Sequence, residues 1–253
     1  MSADSAPGFV PPMLAVPYPR PFTDARWWFE VKWDGWRTVV NTVGSPRAYS
    51  RRGQDLTARL PGLAALVRDL PTGAIFDGEI IRWDDWGEDG SSLFRGPVGL
   101  ILFDCLYFRD VWRLDCPLQT RRRLLQDIVV PQHGAVRVAP GALEAGEALW
   151  QTVVAFGLEG MMAKRWDSRY RPGARSPEWR KVLNLQSQWF PVVEVEPYAD
   201  GVRWLVADLG GQVVARLPRP AGGPRPGRVL LGYRGRTRRG SLRHARVLAW
   251  EPR

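Results

Sequence analysis

Cysteine and histidine are scarce in this chain, with two of each in 253 residues. Cys105 and Cys116 belong to no CxxC pair, so neither a zinc centre nor a disulfide-stapled scaffold finds the side chains it needs. Reduced, intracellular thiols are the expectation. Long apolar runs are also missing. The greasiest stretch, VGLILFDCLYF at 98–108, contains Asp104 and is far too short to span a bilayer. The proline-rich opening, MSADSAPGFVPPMLAVPYPR, has no apolar h-region and does not read as a signal peptide. No GxxxxGK phosphate cradle occurs, which removes P-loop chemistry. Acidic residues run short as well: 26 against 36 Lys and Arg, a net charge of +10. Such a balance favours polyanions, nucleic acid ahead of acidic membrane surfaces; a basic protein with no polyanion partner is the plainer alternative. A soluble cytoplasmic protein is expected.

What is present is a well-stocked core. With 45% hydrophobic residues there is material for one large domain, or for a medium domain carrying a small one. Proline punctuation as far as Pro21 predicts an extended lead over 1–25. WWFEVKWDGWRTVVNTV, from Trp27, alternates around Asp34-Gly35 and predicts two strands joined by a hairpin turn there. GAIFDGEIIRWDDW at 73–86 predicts strand, tight turn, strand, and 98–108 a buried strand with an acidic stop. PGLAALVRDL, LQTRRRLLQDIV and ALEAGEALWQTVVAFG carry helical spacing at 61–70, 118–129 and 142–157. LEGMMAKRWDSRY returns to strand, and RPGARSPEWRKVLNL is loop, then strand. Over 26–186 the pattern is α+β, antiparallel sheets with helices packed against them. Short strands and a basic, turn-rich tail over 187–253 are about the size of a small Greek-key barrel such as an OB-fold.

Four segments place charge in or beside apolar strands: KWDGWR, FDGEI, LEGMMAK and WRKV. Each alone has a dull explanation, because Asp-Gly and Glu-Gly are turn pairs and sheet surfaces carry charge. Together, Lys32 and Lys181 with Glu79 and Glu159 suit a site for a magnesium-bound nucleotide. Carboxylates hold a hard cation through oxygen, and lysines and arginines neutralise polyphosphate. A lysine crowded by other cations also loses its proton more readily, which frees the amine as a nucleophile. Lys32 is then the candidate nucleophile, with phosphorus as its electrophile. Trp27, Trp28, Trp33 and Trp36 surround it in sequence, as pocket wall or as plain core.

In order and wording these segments resemble the covalent nucleotidyltransferases, above all ATP-dependent DNA ligases of the minimal bacterial and end-joining type. KWDGWR is similar to motif I (KxDGxR), SRRG to motif Ia, FDGEI to motif III, LILFDCLYF to motif IIIa, EGMMAK to motif IV and RSPEWRKV to motif V. The likeness runs from Glu30 to about Leu185. It implies a nucleotidyltransferase domain followed by an OB-fold-like domain, ATP as AMP donor, and Mg²⁺ or Mn²⁺. Lys32 would hold AMP as a phosphoramide. Glu30 would help to position adenine, and Phe103 would stack on it. Arg37 and Arg51 would contact the ribose and phosphates, and later the 5′-phosphate of a nick. Glu79 would reach the ribose or a metal, Glu159 would be a metal ligand, and Arg175 and Lys181 would steady the phosphate. Lys164 fits motif IV and fits a surface lysine equally.

The resemblance further implies a monomer acting near the nucleoid on nicked or broken double-stranded DNA, in the minimal two-domain form, with end-joining or repair proteins as further partners. The tail arginines, among them Arg236, Arg238, Arg239 and Arg243, would contact backbone phosphates without reading bases. Three positions depart from the family pattern. Leu183 replaces the second lysine of motif V, and Ala249 and Glu251 stand where motif VI favours arginines. Slower self-adenylylation is the expected consequence. RNA ligation, GTP-dependent capping and a silent nucleic-acid-binding homologue remain as alternatives.

Overall fold

The computed structural model describes residues 8–60, 62–82, 98–129, 135–198, 201–220, 226–237 and 239–252. The chain divides into two compact units, Met1–Leu183 and Asn184–Arg253.

Two sheets build the first unit. One runs in the order β1 (Leu14–Pro17), β11 (Arg175–Leu183), β10 (Gly160–Arg165), β2 (Trp27–Val31) and β9 (Gly141–Leu143). The other runs β4 (Arg47–Ser50), β3 (Trp36–Asn41), β5 (Ala74–Arg82), β6 (Val98–Phe108) and β7 (Val111–Trp112), with β8 (Val136–Val138) parallel to β6. Period-two alternation decides which side chains go where. In the first sheet Trp27, Phe29, Met161, Ala163 and Val182 pack under helix α3 (Gly146–Ala155) through Val153. The register sets Glu30 opposite Met162 and Met162 opposite Lys181, and it sets Trp28 opposite Lys164 and Lys164 opposite Trp179. These six therefore share the other face. In the second sheet Val40, Phe76, Ile80, Leu100 and Leu102 lie under helices α1 (Leu63–Arg68) and α2 (Leu118–Ile128). Val39, Ile75 and Leu106 meet Met13, Tyr170 and Trp179 in a shared core. The unit is a sheet-on-sheet sandwich with helices on both outer faces.

Several expectations are corrected by this arrangement. Asp34-Gly35 is not a hairpin turn: the strands on either side of it belong to different sheets, so 32–35 is a crossing between layers. Asp77-Gly78 is not a turn either, since β5 runs unbroken through it with a bulge opposite Phe103. The helix expected from 142 begins at Gly146, because Gly141–Leu143 pairs with β2 as β9. The proline-rich lead is woven into the first unit. β1 runs parallel to β11, and the Arg180 guanidinium lies 4.5 Å over Tyr18 and 4.3 Å over Trp27.

The second unit is one antiparallel sheet, ordered β14 (Val213–Pro220), β13 (Gly201–Ala207), β12 (Gln186–Tyr198), β15 (Pro226–Tyr233) and β16 (Arg246–Pro252). β12 pairs with β15 along its first half and with β13 along its second, past a bulge near Val192. The Leu242 amide reaches back to the Val214 carbonyl at 2.7 Å, tying the far edge to the segment after β15. Phe190, Val192, Trp204, Val206, Val229 and Leu231 fill the interior. Among the described residues no helix is long and apolar enough to cross a membrane.

α2 holds a surprise for an amphipathic helix: Arg121 and Arg122 are buried. Arg121 forks onto Asp104 at 2.8 and 2.9 Å and also donates to the carbonyls of Cys116 and Ser168. Removing one partner leaves a buried charge uncompensated. Arg121→Met is therefore expected to destabilise the protein by about 3–5 kcal/mol, read by urea unfolding.

Candidate active site

The crossing at 32–35 fixes where Lys32 stands. Its amide donates to the Gly160 carbonyl at 2.9 Å, extending the β2–β10 pairing by one residue. Gly160 has φ 156°, and a Cβ there would meet the Val182 carbonyl oxygen at 2.2 Å. At the other end, a Cβ on Gly35 would come within 2.2 Å of the Ile80 carbonyl oxygen. Glycine is needed at both points so that the backbones can touch.

The Lys32 amine meets Glu159 Oε1 at 2.5 Å, with side-chain exposures of 23% and 3%. The sequence reading crowded this amine with cations; its direct partner is an anion. Glu79, on β5 opposite Arg37, is the second acid. Burial pushes its carboxyl up to about 8; Glu159 and Asp77 push the same way, while Lys32 and Arg37 pull it down. Lys32, Glu79 and Glu159 thus form one electrostatic cluster. Two carboxylates beside an amine offer hard oxygen donors to a divalent cation. Among the described residues no group of three or more ligating side chains occurs. A cation held here would complete its shell from nucleotide phosphates and water.

Glu30 is buried, accepts a hydrogen bond from Trp28 Nε1 at 3.0 Å and pairs with Lys164, while Arg122 Nη1 stands 3.9 Å away. Lys164 is no surface lysine. It lies between the rings of Phe103 and Trp179, 4.4 and 4.5 Å from their centroids, and burial lowers its pKa against the pull of Glu30. Phe103 packs with Ile81, Ile101, Ala139 and Trp33. Arg37 forks onto Asp77 at 2.6 and 2.5 Å and covers the Phe103 ring at 4.5 Å. Lys181 is half-buried, in one row with Met162 and Glu30.

Other expected residues stand apart or are otherwise engaged. Arg175 is exposed and donates to the Ala15 carbonyl at 2.5 Å. Arg51 is exposed on the turn after β4. In the second unit Arg236 reaches Gly240 O at 3.2 Å and Asp208 at 3.6 Å, Arg239 is exposed, and Arg243 is half-buried. Arg238 lies outside the described residues. Of the departures, Leu183 pairs opposite Gly160, Ala249 opposite Leu230, and Glu251 holds Arg228 at 2.6 Å. Sequence reasoning missed Arg122, Asp77 and Tyr170. Only the acid of FDGEI offered a signal, and it read as half of a turn.

Comparison with known proteins shows the family. A family model described as ATP dependent DNA ligase domain matches residues 12–93 and 88–182. A DNA ligase of Methanothrix thermoacetophila is 33% identical over 196 residues, covering 69% of this chain and 35% of that protein. The multifunctional non-homologous end joining protein LigD of Mycobacterium bovis is 33% identical over 221 residues, 82% of this chain and 28% of that one. The chain therefore spans roughly a third of the length of these curated relatives. Among solved structures, the ligase domain of M. tuberculosis LigD superposes with a TM-score of 0.64 at 26% identity, covering 96% of this chain and 95% of that chain. A mycobacterial DNA ligase D complexed with ATP and MES gives 0.65 at 28% identity, covering 96% and 95%.

The raised Glu79 carboxyl has a stability signature. Between the ordinary value of 4.5 and about 8 the folded chain holds a proton that the unfolded chain has released. Stability therefore falls as pH rises through that window. In cation-free buffer, Glu79→Gln is expected to match wild type below about pH 4.5 and to melt progressively higher than wild type up to about pH 8. Thermal unfolding across pH checks this, and a difference that stays constant contradicts it.

Proposed function

The chain belongs to the family of ATP-dependent DNA ligase domains, and on that premise we propose that it seals breaks in duplex DNA through an adenylated Lys32. The observation that carries this reading is the Lys32 amine resting on Glu159, with Glu79 in the same electrostatic cluster. A nucleophilic amine at phosphorus must shed a proton, and the Glu159 carboxylate stands where that proton leaves. The Lys32 nitrogen forms the P–N bond to the α-phosphate of ATP as the bond to pyrophosphate breaks. The DNA 5′-phosphate then takes AMP from Lys32, and the 3′-hydroxyl displaces AMP to close the backbone. Transfers of this kind depend mostly on positioning and charge neutralisation.

Mg²⁺ or Mn²⁺ would be held by Glu79 and Glu159 and would neutralise phosphate oxygens. Phe103 is assigned to adenine stacking on the resemblance; here Arg37 and Lys164 stand over its ring at 4.5 and 4.4 Å, so a base that stacks there has to displace a cation. Glu30, with its carboxylate engaged by Trp28 and Lys164, holds the wall of that pocket. Lys181, in the row beside Glu30, faces the phosphates; Arg37, Arg51 and Arg175 are assigned to ribose and phosphate contacts on the resemblance alone. We assign 26–186 as the nucleotidyltransferase domain and 187–253 as an OB-fold-like domain, the latter on its single bent antiparallel sheet. Its arginines, Arg236, Arg239 and Arg243 among them, supply phosphate contacts along the duplex.

Mass spectrometry after incubation with ATP and Mg²⁺ tests the central step. Wild type gains one AMP, Lys32→Ala gains none, and Lys32→Ala still binds nicked duplex. A wild-type chain that stays unmodified refutes the reading, and modification by GTP alone would redirect it to capping chemistry. Affinity for nicked duplex is expected to fall steeply between about 50 and 200 mM salt, as phosphate contacts release counterions. A flat salt titration would remove the arginines from the DNA contact.

A further inference from the structure

A closed hydrogen-bonded ring joins four separate segments of the first unit. The Tyr170 hydroxyl donates to Asp77 Oδ2 at 2.6 Å. Asp77 receives Arg37 through Nε at 2.6 Å and Nη2 at 2.5 Å. Arg37 Nη2 also donates to the Met13 carbonyl at 3.2 Å, and the Met13 amide donates back to the Tyr170 oxygen at 3.0 Å. Met13 comes from the lead, Arg37 from β3, Asp77 from β5, and Tyr170 from the loop between β10 and β11. Met13, Asp77 and Tyr170 are buried.

The donor count leaves little slack. A phenol has one proton to give, and here it goes to Asp77 while a lone pair takes the Met13 amide. Burial, with Asp77 close by, holds the Tyr170 pKa well above its ordinary value, so the hydroxyl remains a donor at any working pH. The guanidinium is a rigid planar fork. With Nε and Nη2 in the ring, Nη1 is the nitrogen outside it, and the plane lies over Phe103 at 4.5 Å. Tyr170 in turn packs edge-on to Trp179 at 5.7 Å, the same ring that covers Lys164.

We propose that Tyr170 is a positioning residue for nucleotide transfer: through Asp77, its hydroxyl sets the plane of the Arg37 guanidinium so that the Nη1 edge is presented to the nucleotide. This rests on the function proposed above and adds a role for a residue outside its motifs. A purely structural ring would lower the melting temperature without touching the rate per folded molecule. A positioning ring slows the reaction itself.

Single-turnover AMP attachment across ATP concentrations, with thermal unfolding alongside, separates the two. The proteins are wild type, Tyr170→Phe, Arg37→Lys and the double variant. Tyr170→Phe keeps the ring against Trp179 and is expected to lower the limiting rate about tenfold, while half-saturating ATP changes by less than about twofold. Arg37→Lys, which cannot fork onto Asp77, is expected to lose at least as much. Adding Tyr170→Phe to Arg37→Lys should cost nothing further, because the hydroxyl acts through the guanidinium. A wild-type limiting rate in Tyr170→Phe overturns the inference, and so do losses that multiply in full in the double variant. Should Tyr170→Phe fail to fold, a wild-type rate in Arg37→Lys overturns it equally. A wild-type protein that takes up no AMP fails the proposed function itself, a distinct result from matched rates in wild type and Tyr170→Phe.

Discussion

Four residues, Lys32 to Gly35, carry the chain out of one sheet and into the other, and the site depends on that crossing. It is pinned at its start by the Lys32 amide on Gly160 and at its end by Gly35 against the Ile80 carbonyl. A lysine on a loose hairpin would sample a wide volume of solvent. Here the backbone leaves the amine only the reach of its own side chain, and Glu159, one residue before Gly160, is already there. The second acid arrives from β5, on the opposite layer. Neither sheet alone could assemble the cluster, so the sandwich and the proposed chemistry have the same cause.

Buried charge pairs recur in the unit that carries this crossing. Pairs taken out of water are often no better for stability than apolar side chains of equal volume. Yet Arg37 with Asp77, Lys164 with Glu30, and Arg121 with Asp104 all lie inside the first unit. Arg121–Asp104 is saturated by two further carbonyls and acts as a bolt between α2 and β6. The other two sit against Phe103, with a cation over the ring in each case. Such pairs set the direction of side chains that an apolar core would leave free to choose among rotamers.

The sequence marks the candidate site residues more readily than the path of the chain. Lys32, Glu79 and Glu159 were legible because charge embedded in apolar strands is unusual, and the structure does bring them together. The Asp-Gly pairs mislead for a physical reason. Asp-Gly looks the same whether glycine supplies a turn conformation or merely clears space for a passing carbonyl, and at Gly35 it is the second. Lys164 reads two ways in the sequence because a single lysine on a strand fits solvent as well as a cleft. Only the register with Trp28 and Trp179 shows which face it takes. Arg121 and Arg122 were hidden by helical periodicity, which marks an apolar stripe and is blind to a buried arginine that finds its own acid. The pairing of the extended lead is hidden in the sequence because proline breaks pattern, although proline is tolerated at the edge of a sheet, where β1 lies.

Charge balance on the inner face bears on the departures. Lys181 and Leu183 are two residues apart on β11, so they face the same side, and Leu183 sits opposite Gly160, beside the Lys32–Glu159 pair. Burial first, and Glu159 and Asp77 after it, hold the Glu79 carboxyl protonated to about 8. On the proposed reading the missing charge has to arrive with the substrate, as the cation that accompanies the nucleotide. Within the second unit, Glu251 at one altered position takes the Nε of Arg228, directly across from it. A cation arriving with the nucleotide would meet Glu159, the acid that already rests on the Lys32 amine.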